Sequence, residues 1–147
     1  MNVVGLGSAG CGIADALSKY SQYKIFKIDV DISGDKCYNV IKLGTAEEYE
    51  NHNFPKLDEF FKGIEGKTFF IVGGSGKISC ASLKVLEKIK HLPISIIYIK
   101  PDHELLNKVQ KMQDRIVFGV LQEYARSAVF EDICIISNEH LDTILGG

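Results

Sequence analysis

Three glycines near the start of the chain have the spacing of a phosphate-binding loop. They belong to Gly5-Leu6-Gly7-Ser8-Ala9-Gly10, which matches the pattern GxGxxG. Glycine lets the backbone turn tightly and approach a phosphate, and the N-terminus of a following helix offers unpaired N–H donors and a positive dipole end. Apolar, strand-like residues precede the loop and a helical apolar period follows it, as this chemistry requires. The alternative is a tight turn between strand and helix that holds no ligand.

A second glycine segment follows a later apolar strand. It is Gly73-Gly74-Ser75-Gly76-Lys77-Ile78-Ser79-Cys80-Ala81-Ser82, and it leads into another helical period. The P-loop pattern GxxxxGK[ST] requires Ser or Thr directly after the lysine, where Ile78 stands, and glycine where Ile71 stands. A Walker-type ATPase is therefore disfavoured. Two phosphate-type loops at one edge of a sheet instead suggest a nucleotide held between them.

Two carboxylates, Asp29 and Asp31, stand at the end of the second predicted strand. An acid about 20 residues beyond a glycine loop can accept a ribose hydroxyl in a dinucleotide-binding enzyme. It can equally hold Mg²⁺ through water beside the phosphates of a nucleotide. A polar strand end without a ligand is the third interpretation, and the residues alone do not separate the three.

Apolar runs alternate with helical periods along the whole chain, whose 147 residues are the size of one domain. This alternation is typical of crossover βαβ units. It predicts an α/β fold with a doubly wound, mainly parallel, six-stranded Rossmann-like sheet and helices on both faces. Strands are expected at residues 3–4, 24–30, 38–43, 68–72, 94–99 and 133–136, and helices at 13–17, from 55, from 76 to 89, within 104–129 and from Asn138. The acidic segment 44–53 is expected to be a solvated loop.

Composition excludes several classes of function. The net charge is −2, so a basic footprint for nucleic acid is lacking. No apolar run approaches the roughly 20 residues of a membrane helix, and no cationic leader precedes the first strand, so we expect a cytoplasmic protein. The four cysteines match neither a zinc pattern nor a CxxC pair, and free thiols without a catalytic role are expected.

Taken in order, these motifs resemble the tubulin/FtsZ superfamily. Residues 74–82 are similar to that family's GGGTG(S/T)G signature, which opens a helix after a first glycine loop and a strand ending in Asp. Ile99-Lys100-Pro101 is similar to a family strand that ends in Lys-Pro or Arg-Pro. Residues 135–141 (Ile-Ile-Ser-Asn-Glu-His-Leu) are similar to the IPND-x-L segment. The order and approximate spacing of these segments hold across the chain.

The resemblance implies that residues 1–147 are one nucleotide-binding domain that ends within the family's core helix. It implies GTP or GDP, accompanied by Mg²⁺, at the C-terminal ends of the strands. It also implies GTPase activity and, where a longer chain supplies the second domain, self-association into filaments. The implied phosphate contacts are Gly5, Gly7, Ser8, Ala9, Gly10, Cys11, Gly74, Ser75, Gly76, Lys77, Ile78 and Ser79; the implied ribose and base contacts are Gly12, Glu104 and Asn138; and the implied Mg²⁺ residues are Asp29 and Asp31.

The chain also departs from the family pattern. Gly12 stands where an Asn usually helps to hold guanine, and residues 45–50 are acidic where the family has a glycine-rich phosphate loop. The acidic loop that completes hydrolysis belongs to the second domain, so hydrolysis by this chain alone is not expected. Two alternatives remain: an NAD(P)-binding Rossmann module, and a tubulin-like scaffold that no longer binds a nucleotide.

Overall fold

A computed structural model describes residues 1–74, 76–127 and 129–137. Its strands are β1 (Asn2–Leu6), β2 (Lys24–Asp29), β3 (Cys37–Asn39), β4 (Thr68–Gly73), β5 (Ile94–Lys100) and β6 (Asp132–Ser137). They form one six-stranded sheet in the order β3-β2-β1-β4-β5-β6, and every neighbouring pair is parallel. The predicted α/β class with a doubly wound Rossmann-like sheet is confirmed.

Helices cover both faces of this sheet. They are α1 (Gly7–Leu17), α2 (Ala46–Asn51), α3 (Leu57–Phe60), α4 (Ser82–Glu87) and α5 (Lys108–Arg126). On one face, Ala14 of α1 packs against Val3 and Ile71. On the other face, Val85 of α4 and Val117 of α5 belong to the larger apolar core. None of the helices in the described ranges is long and apolar enough to cross a membrane.

Strand β1 lies at the centre of the sheet and is buried along its whole length. A parallel strand with both faces covered is expected to be continuously apolar, as Val3 and Val4 are. The register pairs Leu6 with Ile28 of β2 on one side and with Val72 of β4 on the other. The three strands therefore end at the same level and form one continuous edge. Strand order reverses between β1 and β4, which makes this edge the topological switch point of the sheet.

Helix α2 lies within the acidic segment 44–53, so the expectation of a solvated loop there was wrong. Its first turn is capped by Thr45, whose hydroxyl oxygen accepts from the backbone N–H of Glu48 at 3.2 Å. Tyr49 is buried against the main core and anchors the helix. The Thr-x-x-Glu sequence is the signature of a capping box and could have predicted this helix.

Other elements differ in extent from the sequence-based expectation. Strand β3 covers only three residues, and the chain from Val40 onwards leaves the sheet instead of continuing as a strand. The second glycine segment enters a 3-10 helix, Lys77–Ala81, before α4 begins, and α4 ends at Glu87. The expected helical region at 104–129 contains a short 3-10 helix, His103–Leu105, followed by the single helix α5.

Candidate functional site

A cavity of about 430 Å³ opens at the C-terminal ends of β1, β2 and β4. This is the switch-point position at which open α/β sheets bind their ligands, and the volume falls within the range of small-molecule sites. The lining residues come from the ends of the three strands, from both glycine segments and from the chain around α2. They are Leu6, Gly7, Ser8, Ala9, Asp29, Val30, Lys42, Leu43, Tyr49, Gly73, Gly76, Lys77, Ile78 and Ser79.

The first glycine segment contributes Gly7, Ser8 and Ala9 to the cavity. The chain passes from β1 into α1 without an intervening loop, and Gly7 makes this possible with a φ of +77°. That region of backbone conformation is strained for other residues. A Cβ at Gly7 would also stand 2.9 Å from the side chain of Ile78, so the two glycine segments meet at this point.

Gly5 and Gly10 do not line the cavity. A Cβ added at Gly5 would lie 2.5 Å from the carbonyl oxygen of Gly10, and a Cβ at Gly10 would overlap the carbonyl oxygen of Ile71. These glycines let α1 pack directly on the backbones of β1 and β4. Cys11, a residue of α1 itself, is buried. Gly12 is exposed, and an added Cβ there would meet no atom within 4 Å.

The second glycine segment borders the cavity from the opposite side with residues 76–79. The Lys77 ammonium donates to the carbonyl oxygen of Gly44 at 2.9 Å, which links this segment to the chain before α2. The Ser79 hydroxyl donates to the carbonyl oxygen of Gly73. Ile78 is buried in the main core. Gly74 lies outside the lining, and Ser75 is not among the described residues.

A buried polar network supports the second glycine segment from α5. The Asp114 carboxylate accepts from the Tyr98 hydroxyl and lies 2.6 Å from Nε2 of His103. A Cβ at Gly74 would overlap both Tyr98 and Asp114, so glycine is required at that position. The neighbouring Gln113 donates its side-chain amide to the carbonyl oxygen of Gly76. Burial, and to a lesser extent the hydrogen bond to Asp114, raises the pKa of the Tyr98 hydroxyl. Tyr98 therefore keeps its proton and acts as a hydrogen-bond donor.

One carboxylate belongs to the lining residues. Asp29 accepts from the backbone N–H of Val30 at 2.8 Å, and partial burial raises the pKa of its carboxyl group. Asp31 is exposed, has a φ of +51° and lies outside the lining. The described residues contain no group of three or more His, Cys, Asp or Glu placed to hold a metal ion. Of the predicted ribose and base residues, Glu104 is exposed outside the lining, and Asn138 lies beyond the described residues.

Some lining residues belong to no motif recognised in the sequence, among them Lys42, Leu43 and Tyr49. Lys42 and Leu43 follow β3, and Tyr49 comes from α2. The Tyr49 hydroxyl accepts from the backbone N–H of Leu43 at 2.9 Å, which fixes the approach of this segment to the cavity. The capping signal at Thr45 could have placed Tyr49 on a helix, but no local pattern points to Lys42.

The thiol of Cys11 is expected to be unreactive in the folded protein. Its sulfur lies 3.5 Å from the carbonyl oxygens of both Gly5 and Ile28, and burial raises the pKa of the thiol to about 12. Because the thiolate is the nucleophile, alkylation of the native protein at pH 8 should modify the exposed Cys134 at least about tenfold faster than Cys11. Peptide mass spectrometry after iodoacetamide treatment measures both rates. Equal rates for the two cysteines would contradict the burial of Cys11.

No family model and no curated protein sequence matches this chain. The class of the protein therefore rests on its own geometry. The strand order, the parallel pairing and the switch-point cavity define a Rossmann-like α/β domain.

Proposed function

We propose that the switch-point cavity binds a guanine nucleotide, GTP or GDP, whose phosphates lie between the two glycine segments. The observation that carries this proposal is the convergence of residues 7–9 and 76–79 on one cavity. The two segments lie far apart in the sequence and follow different strands, yet they contact each other through Gly7 and Ile78. A tight turn between a strand and a helix needs only one such segment.

The charges around the cavity support a phosphate ligand. Lys42 and Lys77 both line it, and α1 begins at Gly7, which is itself a lining residue. Ammonium groups and unpaired helix N–H groups favour phosphate oxygens. The Lys77 ammonium donates to the Gly44 carbonyl oxygen, which is a neutral acceptor. A phosphate offers this ammonium a charged acceptor, and such hydrogen bonds are stronger than those to neutral carbonyls.

Asp29 has a defined place in this proposal. It is the acid among the lining residues, and it stands at the end of β2, beside the first glycine segment. It would hold Mg²⁺ through water next to the phosphates, as carboxylates commonly do at nucleotide sites. Asp31 would contribute only if its exposed side chain turned toward the cavity.

The guanine base, GTP hydrolysis and filament assembly enter the proposal through the resemblance to the tubulin/FtsZ superfamily. That resemblance rests on the order of the glycine loop, residues 74–82, the strand ending in Lys100-Pro101 and residues 135–141. In that family the second domain completes hydrolysis in the neighbouring subunit. We therefore propose nucleotide binding for this chain, and hydrolysis within filaments only in combination with such a domain.

A second candidate ligand is NAD(P). It is favoured by the same Asp29, because a dinucleotide-binding enzyme places an acid at the end of the second strand to hold the adenosine ribose. The dinucleotide needs no second glycine segment and no lysine opposite the first loop. Residues 76–79, which include Lys77, line the cavity, and this is the reason to prefer the mononucleotide.

A panel of nucleotides distinguishes these candidates. The melting temperature of the purified protein should rise with GTP or GDP in the presence of Mg²⁺ and stay unchanged with NAD, because a ligand that binds only the folded state stabilises it. The nucleotide released on denaturation of freshly purified protein should elute as GDP or GTP in chromatography. A rise of the melting temperature with NAD alone would favour the dinucleotide. An unchanged melting temperature with every ligand would contradict both nucleotide proposals and favour a scaffold domain that binds no nucleotide.

Lys77→Ala should weaken GDP binding about tenfold to a hundredfold, the value of one hydrogen bond to a charged group. Isothermal titration measures the dissociation constant. The matched control is Lys84→Ala, an exposed lysine of α4 that does not line the cavity. Equal affinities of the two variants would exclude Lys77 from the phosphate site.

A further inference from the structure

Helix α5 carries a second apolar face that the described chain leaves uncovered. Val109, Met112 and Ile116 are 73%, 63% and 56% exposed. Their spacing of three and four residues places them on one side of the helix. The opposite side, with Val117 and Leu121, is buried in the main core. A surface helix of a monomer ordinarily has only one apolar face, and a row of large exposed apolar side chains marks an interaction surface.

Gly119 continues this exposed face one turn further along. Glycine in the interior of a helix is about 1 kcal/mol less favourable than alanine. An added Cβ at Gly119 would meet no atom within 4 Å, so packing within the described chain does not require glycine there. Gly119 is half-buried at the edge of this exposed face, and a glycine there lets a second backbone approach closely, as small residues do where helices cross.

The charges beside the glycine are arranged symmetrically about it. Arg115 precedes Gly119 by four residues and Glu123 follows it by four, and both side chains are exposed. Residues spaced by four form one ridge of a helix. Glu123 pairs within its own helix with Arg126 at 3.1 Å, but both side chains of that pair are about 70% exposed. Such a pair contributes little, so Glu123 can change partner at low cost.

We propose that α5 is the interface of a two-fold symmetric dimer of this chain, in which the two helices cross antiparallel at Gly119. The two-fold axis brings Arg115 of each copy beside Glu123 of the other, because both lie the same distance from the crossing point. Met112 and Ile116 of each copy then pack against the partner's helix on either side of the glycine. A second copy is the occupant because this charge arrangement is complementary to itself.

The dimer interface is separate from the switch-point cavity, since none of Val109, Met112 and Ile116 lines it. The proposal therefore does not depend on nucleotide binding. It also differs from head-to-tail assembly into filaments, because a two-fold interface uses the same patch on both copies and closes on itself.

Sedimentation equilibrium of the full chain over a range of concentrations tests the proposal. The wild type should dimerise, and either Arg115→Glu or Glu123→Arg should raise the dimer dissociation constant at least about tenfold, because like charges then face each other across the interface. The double variant with both exchanges should restore the dissociation constant to within about threefold of wild type.

Ile116→Asp tests the apolar contacts and should abolish the dimer. Lys19→Glu, an exposed change on the chain after α1, is the control and should dimerise as wild type does.

Far-UV circular dichroism confirms that each variant is folded, and because the substituted side chains are exposed, the spectrum of each variant should match that of wild type. A wild-type chain that stays monomeric overturns the proposal. So does a dimer that survives Ile116→Asp, a double exchange that fails to rescue, or a helix face that proves to be covered by a different protein.

Discussion

Replacing Gly10 with alanine is expected to lower the free energy of unfolding by about 3 kcal/mol, the scale of forced overpacking in a rigid interior. The added methyl group would overlap the backbone carbonyl of Ile71 in the centre of β4. Neither backbone can move aside, since β4 pairs with strands on both sides and α1 packs on β1 as well. Helix α1 would have to lift from the sheet, and its contacts through Ala14 would be lost. Urea denaturation followed by circular dichroism measures the change.

The matched control is Gly12→Ala, two residues further along the same helix. Gly12 is exposed and an added Cβ finds open space, so the helix propensity of alanine should stabilise the protein by about 0.5–1 kcal/mol. The two substitutions are chemically identical and should have opposite signs. Equal effects would mean that α1 does not approach β4 as closely as described.

Asp114→Ala should lower the free energy of unfolding by about 3 kcal/mol, the scale expected when a buried charged hydrogen-bonding group loses its network. The side chain of Asp114 is 5% exposed and contacts both His103 and Tyr98. Without it, the buried Tyr98 hydroxyl retains only the longer bond to the backbone carbonyl of residue 114, at 3.2 Å. Gly74 would also lose the side chain against which it packs.

Two further variants isolate the cause of that loss. Asp114→Asn keeps an acceptor oxygen for Tyr98 and should cost about 1 kcal/mol, less than the alanine variant. Lys108→Ala changes the exposed first residue of the same helix, outside the proposed dimer contacts, and should stay within about 0.5 kcal/mol of wild type. Thermal and urea denaturation of the three proteins give the comparison. An Asp114→Ala variant as stable as Lys108→Ala would show that the network contributes nothing.

The class of fold could be predicted because its signals are local and repeated. Apolar segments such as residues 68–72 and 94–99 are long enough to identify buried strands, and their alternation with helical periods defines a parallel sheet. The helix α2 was missed because its acidic composition outweighed the Thr45 capping signal. Strand β3 was overestimated because apolar residues after Asn39 pack on the core without extending the ladder.

The lining of the cavity was predictable only where a motif marks it. Residues 7–9 and 76–79 follow glycine patterns, and the structure brings them together at one cavity. Lys42 reaches the same cavity from a segment without any recognisable pattern. The contact between Tyr98 and Asp114 joins a strand to a helix sixteen residues away, and such a pairing depends on the tertiary fold. Ser75 and Asn138 stay predictions, because they lie outside the described residues.

The close packing of Gly5 and Gly10 has a consequence for the evolutionary record of this fold. Both glycines are needed for α1 to rest on β1 and β4, whether or not the cavity is occupied. Selection for folding alone would therefore retain them in relatives that bind no ligand. In an alignment of such relatives, two invariant glycines would report on the architecture, whereas Ser8, Lys42 and Lys77 would be retained only where the proposed binding is under selection.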